Sequence, residues 1–139
     1  MYCKGLTKKE LIDFGFTNVV YTDNEWQVFR NWHKTNSKEI IEGRISVTLA
    51  ERKHKYRPNK YYYKVTFSVN SKVLNIPLSR LVYVWYNGDI PDGFVVDHIN
   101  NDSFDNRPEN LQLLTVGDNL KKRFQDNPDA WVNQWGHNK

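Results

Sequence analysis

The chain has 139 residues, which is enough for one domain with a core of its own and too few for two large ones. Hydrophobic residues make up 39%, charged residues 26% and aromatic residues 14%, a globular balance that argues against disorder of the whole chain. The net charge of +4 is compatible with a nucleic-acid partner, but by itself it is weak support for one.

Localisation and redox state are also constrained by the sequence. No run approaches the roughly 18 consecutive apolar residues of a membrane span, and four charged side chains lie between Met1 and Ile12, where a signal peptide would be apolar. We therefore expect a soluble, cytoplasmic protein with no membrane partner. Cys3 is the only cysteine, so no disulfide can form within the chain and a structural zinc with a cysteine-rich ligand set is excluded.

The N-terminal part predicts a helix followed by strands. Thr7 and Glu10 form a capping-box pattern, so we expect a short helix that ends at Gly15. The region from Val19 to Glu42 is ambiguous, because WQVFRNW alternates like a strand whereas TDNE could begin a second helix. We favour the strand.

A β-hairpin is predicted next. Ile45 to Ala50 and Tyr61 to Val69 are rich in β-branched and aromatic residues and alternate with period two. The connecting segment from Glu51 to Lys60 has five Lys or Arg residues against one acid. This basic loop is either a solvated hairpin tip or a contact to a DNA backbone.

The second half predicts the order helix, strand, polar loop, strand, helix. Leu78 to Gly88 has apolar residues at helical spacing, which is typical of a core helix. Phe94 to Val96 and Leu111 to Thr115 are short apolar strands, and a capping pattern at Thr115 begins the last helix. The segment from Asp89 to Asn110 has six acids against one arginine, so charge is segregated along this basic chain.

The polar residues between these elements could converge on one site. Asp97 and Asn119 offer the oxygen ligands that Mg²⁺ or Mn²⁺ prefers. His98 could take a proton from water, and Asn110 is a candidate to fix the orientation of the His98 ring. Metal, base and orienting amide together would make a phosphodiester hydrolysis site.

These residues resemble a known family. The stretch VVDHINNDSFDNRPENLQLLTVGDN is similar to the core of HNH endonucleases with the ββα-metal fold, and LSRLVYVWYNGDIPDG resembles the lead-in of phage and intron-encoded members. The resemblance covers about Leu78 to Arg123. It implies that Asp97 and Asn119 bind one divalent metal, that His98 is the general base and that Asn110 holds its ring.

The resemblance has further implications and some departures. Asn106 and Arg107 match an Asp-Asn-Arg element that would shape the loop, with Arg107 as a candidate phosphate contact. Many members have histidine at the position of Asn119. The Asn119 amide still supplies an oxygen ligand, but the change from histidine could alter the metal preference. Ser79 stands where many relatives have a histidine, and the zinc-binding cysteine pairs of some members are missing.

Together these observations predict an α+β protein with an N-terminal helix and a β-hairpin or sheet region, followed by a ββα-metal HNH core. We expect three parts: a β-rich DNA-contacting region (1–77), the nuclease core (78–123) and a C-terminal tail (124–139). The residues expected to contact DNA are Arg52, Lys53, Lys55, Arg57, Lys60, Arg107, Lys121, Lys122 and Arg123.

The predicted function is a divalent-metal-dependent endonuclease of double-stranded DNA. Because this short chain has one candidate general base, His98, and one candidate metal site, we expect a monomer that cuts one strand of the duplex. The resemblance suggests a phage-encoded protein that acts in a host cell. Two alternatives stay open: a non-enzymatic DNA-binding module with a vestigial core, and a nuclease that cuts RNA or any nucleic acid.

Overall fold

The computed structural model of the chain describes residues 4–33, 38–53, 55–56 and 58–126. It is a mixed α+β structure with three α-helices, two three-stranded antiparallel sheets and one two-stranded sheet in this part. The predicted loop residue Arg57 and most of the predicted C-terminal tail lie outside the described residues.

The N-terminal elements are a short helix and the first sheet. Helix α1 (Lys8–Asp13) begins with the predicted capping box, since Thr7 accepts from the Glu10 backbone N–H and Glu10 reaches back to Thr7. The sheet has the order β1-β2-β3, with bounds β1 (Phe16–Thr22), β2 (Glu25–His33) and β3 (Ile40–Ile45). The strand prediction for WQVFRNW is confirmed.

The second sheet contains the predicted hairpin and one strand more. Its order is β4-β5-β6, with bounds β4 (Val47–Arg52), β5 (Lys60–Val69) and β6 (Lys72–Pro77). Strand β6 was not predicted. It follows a two-residue turn in which Asn70 and Ser71 both have positive φ, and this turn matches the twist of a tight hairpin. The turn at Asp23 and Asn24 between β1 and β2 has the same form.

The C-terminal elements follow the predicted order. Helix α2 (Leu78–Tyr86) precedes strand β7 (Phe94–His98), a single 3-10 turn (Pro108–Asn110), strand β8 (Leu111–Thr115) and helix α3 (Val116–Asp126). Strands β7 and β8 pair antiparallel, with Asp97 opposite Gln112. The hydroxyl of Thr115 accepts from the Asp118 backbone N–H at 3.1 Å, so Thr115 caps α3 as predicted.

Helix α2 lies at the centre of the core. Its buried residues Leu78, Leu81, Val82 and Val84 belong to one hydrophobic cluster that runs from Leu6 to Leu111 along the sequence. The helix contacts strands of the second sheet as well as β7 and β8. The strand pair that carries Asp97 and His98 is therefore supported from behind by a rigid, apolar helix.

Two acids of the acidic segment accept hydrogen bonds from backbone N–H groups near the N-terminus. Asp89 accepts a hydrogen bond from the Lys8 backbone N–H at 2.8 Å, and Asp92 accepts one from the Gly5 backbone N–H at 2.6 Å. Leu6 also forms an isolated bridge with Ile90. The N-terminal segment is thereby fastened to the turn before β7. No helix among the described residues has the length and apolar character needed to cross a membrane.

Candidate active site

The site is built around the C-terminal end of β7, where Asp97 and His98 are consecutive. Adjacent strand residues point to opposite faces of a sheet, and the contacts agree with this. The Asp97 carboxylate meets Gln112 of β8 and Lys122 of α3, whereas the His98 ring meets Asn106 of the β7–β8 loop. The two side chains thus flank the strand end rather than touching each other.

The ring of His98 is held by Asn106. Its Nε2 lies 2.8 Å from Oδ1 of Asn106, and Asn106 is only 2% exposed. A carbonyl oxygen can only accept a hydrogen bond, so Nε2 carries the proton in the neutral ring and donates it. The other nitrogen, Nδ1, is then left with a lone pair that can accept a proton from water.

Burial of the Asn106 side chain is unfavourable for the free energy of folding. Its amide nitrogen is buried with no hydrogen-bond partner among the described residues, and an unsatisfied buried donor costs about 1–3 kcal/mol. The hydrogen bond to the His98 ring is the polar contact that its side chain does make there. Orientation of that ring is the clearest reason for an amide at this position.

The predicted contact of Asn110 with the His98 ring is corrected by this geometry. Asn110 is buried, but its Nδ2 donates to Oδ1 of Asn100 at 3.0 Å and to the Asp105 carbonyl at 2.9 Å. Its Oδ1 accepts from the Asn100 backbone N–H at 3.1 Å. Asn110 therefore fixes the path of the loop that carries Asn106, and its effect on His98 is indirect.

The contacts of the Asp97 carboxylate are made by one of its two oxygens, Oδ2. Its Oδ2 accepts from Nε2 of Gln112 at 2.9 Å and lies 3.3 Å from Nζ of Lys122. Lys122 also contacts the His98 carbonyl at 3.4 Å and Oδ1 of Asn101 at 2.5 Å. The ammonium of Lys122, for which the sequence predicts a DNA contact, is thus directed towards Asp97 and the end of β7.

Asn119 faces the same region. It precedes Lys122 by three residues on α3, and residues three apart lie on the same face of a helix. Because Lys122 reaches Asp97, the face that carries Asn119 is turned towards the end of β7. The side chain of Asn119 has no hydrogen bond with any other described residue, so its amide oxygen is available as a ligand.

This donor set fits a hard divalent cation. A carboxylate oxygen and an amide oxygen suit Mg²⁺ or Mn²⁺. No group of three or more His, Cys, Asp or Glu side chains that could hold a metal occurs within the described part of the chain. A cation here would therefore depend on Asp97 and Asn119, with water and phosphate oxygens completing its shell.

The remaining polar residues of the loop form a rigid brace. Arg107 pairs with Asp105 through two bonds of 2.8 Å, and its third nitrogen lies 3.7 Å from Glu109. The hydrogen bond from Arg107 lowers the pKa of Asp105 to about 2. The guanidinium is thus bound by loop carboxylates, and its contact with a phosphate stays a prediction.

The other residues predicted to contact DNA lie on two surfaces. Arg52 is the last residue of β4 and Lys60 the first residue of β5. Between them, the basic loop contains exposed Lys53 and Lys55. The rest of the set lies on α3, where Lys121 is exposed and Arg123 half-buried.

A half-buried carboxylate, a ring-oriented imidazole and cationic helix residues at one strand end are the components of a phosphodiester-cleaving site. Comparison with known families is more specific. Residues 77–121, about a third of the chain, match the family model described as HNH endonuclease, so the predicted resemblance to that family is confirmed over this segment. Domains of this family act on DNA and generally use a divalent metal. No curated protein and no solved structure matches the chain.

Three residues that contact Asp97 or His98 are not predicted to do so from the sequence. The sequence gives Asn106 a role in loop shape and Lys122 a DNA contact, and it gives Gln112 no role. The position of Gln112 follows from strand register once β7 and β8 are paired residue by residue. The spacing of Lys122 from Asn119 was a second available signal, since both lie on one helical face.

Proposed function

We propose that the protein is a divalent-metal-dependent endonuclease that hydrolyses phosphodiester bonds of duplex DNA and nicks one strand in each binding event. One observation carries the proposal: the His98 ring is held through Nε2 by buried Asn106, which leaves Nδ1 as its basic nitrogen. The HNH endonuclease match over residues 77–121 supports the same assignment.

In the proposed reaction His98 is the general base. Its Nδ1 takes a proton from a water molecule, and the water oxygen forms a bond to phosphorus as the bond from phosphorus to the 3′ oxygen breaks. The leaving 3′ oxygen takes a proton from solvent. The products are a 5′-phosphate end and a 3′-hydroxyl end, as for the family that the loop resembles.

Asp97 and Asn119 are the proposed metal ligands. We assign the strand–strand–helix unit β7, β8 and α3 to the ββα-metal fold on this basis. When bound, Mg²⁺ or Mn²⁺ would supply positive charge to the phosphate and the leaving oxygen. Gln112 orients the Asp97 carboxylate through its 2.9 Å hydrogen bond, which leaves Oδ1 as the oxygen available for a cation.

The acidic character of this segment within a basic chain has a consistent explanation under the proposal. Asp97 recruits a cation to the site, while Asp105 and Glu109 brace the loop through Arg107. Asp89 and Asp92 hold the N-terminus, and Asp102 accepts a hydrogen bond from the Phe104 backbone N–H at 2.9 Å within the loop. We place the nuclease part at 78–123 and the DNA-contacting part at 1–77.

A cleavage assay with a binding control tests the proposal. Supercoiled plasmid is incubated with metal-stripped protein, with and without Mg²⁺ or Mn²⁺, and with His98→Ala. We expect cleavage that needs the metal and is lost in His98→Ala, while the variant keeps its DNA affinity, because the base acts on water. Binding without cleavage by the wild-type protein would instead indicate a DNA-binding module, and preference for RNA in a competition assay would change the substrate class.

A further inference from the structure

The second sheet has one face in the core and one face in solvent. Alternate residues of β5, namely Val65 and Phe67, are buried with Ile76 of β6. Period-two alternation turns the intervening positions outward, and the burial pattern of β5 agrees. We call this solvent side the outer face and define it by Thr48, Arg52, Lys60, Tyr62, Lys64 and Thr66.

The charge of the outer face has one sign. Arg52, Lys60 and Lys64 are all on it, and no outward position of β4, β5 or β6 is an Asp or Glu. The acid of β4, Glu51, points to the opposite side, where it accepts hydrogen bonds from Asn59 and Tyr61. Of the outward hydroxyl groups, that of Thr66 donates to Oδ1 of Asn75 at 2.6 Å, whereas that of Thr48 can donate to a phosphate oxygen.

Two of the three cations are not neutralised within the described structure. The Arg52 guanidinium lies over the Tyr62 ring at 5.2 Å, and it forms no ion pair with a described residue. Lys64 has neither a hydrogen bond nor an ion pair with any described residue. Arg52 is also directly opposite Lys60 in the strand register, and like charges in that relation destabilise a sheet. Such an arrangement favours an anionic partner.

Strand β5, which carries part of the outer face, contacts the catalytic loop near its first residues. The Ser103 hydroxyl donates to the Tyr61 backbone carbonyl at 2.7 Å, and the Phe104 ring lies 5.3 Å from the Tyr63 ring, on the core side of the strand. The start of β5 is thus in contact with the loop that positions His98. Lys60 and Lys64 are four residues apart on this strand, or about 13 Å at the usual rise, and this matches the axial length of about four base pairs.

We propose that the outer face binds the sugar-phosphate backbone of duplex DNA next to the phosphate that is cut at His98. This inference rests on the proposed function, and it adds Tyr62, Lys64 and the Thr48 hydroxyl to the predicted DNA contacts. Uncompensated cations, hydroxyl groups and an adjoining catalytic loop fit a polyanion that continues past the site. The face holds the flanking DNA and takes no part in the chemistry.

The test measures binding apart from cleavage. In the His98→Ala background, affinity for a fluorescently labelled duplex is measured as a function of salt concentration in EDTA. The double change Arg52→Gln and Lys64→Gln should weaken binding at least roughly tenfold at moderate salt and reduce the salt slope by about 0.9 for each lost phosphate contact. The control is Lys72→Gln, because Lys72 is an exposed lysine of the same sheet that lies off the outer face.

The outcomes separate this inference from the proposed function. If the His98→Ala parent does not bind duplex DNA, the proposed function itself fails. If the parent binds and the double variant keeps its affinity and salt slope while folded, the outer face is refuted and the nuclease assignment stands. Equal weakening by Lys72→Gln would also overturn the inference, since it would show a general charge effect. Weakened binding to duplex RNA with unchanged binding to DNA would assign the face to RNA.

Discussion

Nε2 of His98 lies 2.8 Å from Oδ1 of Asn106, an amide that is 2% exposed and that is eight residues further along the chain. This pair fixes which ring nitrogen carries the proton, and it leaves Nδ1 as the basic atom. The relationship connects loop architecture directly to the proposed chemistry, because a change in the loop path would rotate or release the ring.

Asn106→Leu tests the relationship with the same number and branching of side-chain heavy atoms but no hydrogen-bonding group. We expect cleavage to fall by roughly 10²-fold, the scale of a misplaced reacting group, while DNA affinity is retained. Nitrogen-15 NMR of the histidine rings should show the Nε2–H tautomer of His98 in the wild type and a mixture in the variant. Unchanged tautomer and activity would remove Asn106 from the positioning role, and the melting temperature controls for loss of fold.

The main effect of Asn110→Ala should be a loss of protein stability, and any loss of cleavage should follow from it. The substitution removes three hydrogen bonds from a buried side chain, so we expect a loss of about 2–4 kcal/mol in the free energy of unfolding. Urea titration measures this loss. A variant that is fully stable yet inactive would contradict the bracing role and return Asn110 to direct contact with the His98 ring.

Lys122→Met should tighten the binding of Mn²⁺ to the DNA-free protein several-fold. The ammonium of Lys122 lies 3.3 Å from the Asp97 carboxylate, and a like charge beside a divalent cation opposes its binding. Isothermal titration calorimetry gives the affinity. Lys121→Met is the matched control because Lys121 is an exposed neighbour on the same helix. Weaker Mn²⁺ binding by Lys122→Met would mean that this lysine chiefly positions the carboxylate.

Arg107→Ala should change the dependence of stability on acid pH. The Arg107 pair lowers the pKa of Asp105 from 3.8 to about 2. A carboxyl whose pKa is lower in the folded state stabilises the protein above its ordinary pKa, and this contribution is lost as the pH falls towards the folded value. The variant should therefore have a lower melting temperature at neutral pH, with the difference shrinking as the pH falls from about 4 to 2.

Carboxyl carbon NMR of Asp105 provides the direct measurement for that prediction. The pKa should rise towards its usual range in Arg107→Ala. Glu109→Gln is the control, because its 3.7 Å contact with Arg107 is longer and exposed. An unchanged Asp105 titration would show that Arg107 does not hold the carboxylate in solution.

The product of plasmid cleavage tests the nicking part of the proposal. Each monomer has one candidate general base, His98, and the two strands of a duplex have opposite polarity. A monomer bound in one orientation can therefore cut only one strand. Open circles should form first, and linear DNA should follow through a second binding event. Linear product that appears together with open circles, with a dimeric mass in solution, would indicate a symmetric pair that cuts both strands.

Local patterns in the sequence determined much of the fold. The capping box at Thr7, the apolar spacing of α2 and the strand–loop–strand–helix order from Phe94 onwards all agree with the structure. Each depends on contacts within a few residues, and this is why periodicity and capping residues predict them. Strand β6 was missed because the tight turn at Asn70 and Ser71 lacks the glycine that usually indicates one.

The partners of the site residues were decided by tertiary structure. The sequence predicts Asp97 as a metal ligand and His98 as the base, but it assigns the ring contact to Asn110, and the structure gives that contact to Asn106. It also predicts a DNA contact for Lys122, which the structure pairs with Asp97. Both outcomes depend on how the polar loop folds back and how α3 packs across β7 and β8. Several amides and cations of similar chemistry compete for each position, and only the three-dimensional path of the chain, set by packing against α2, selects among them.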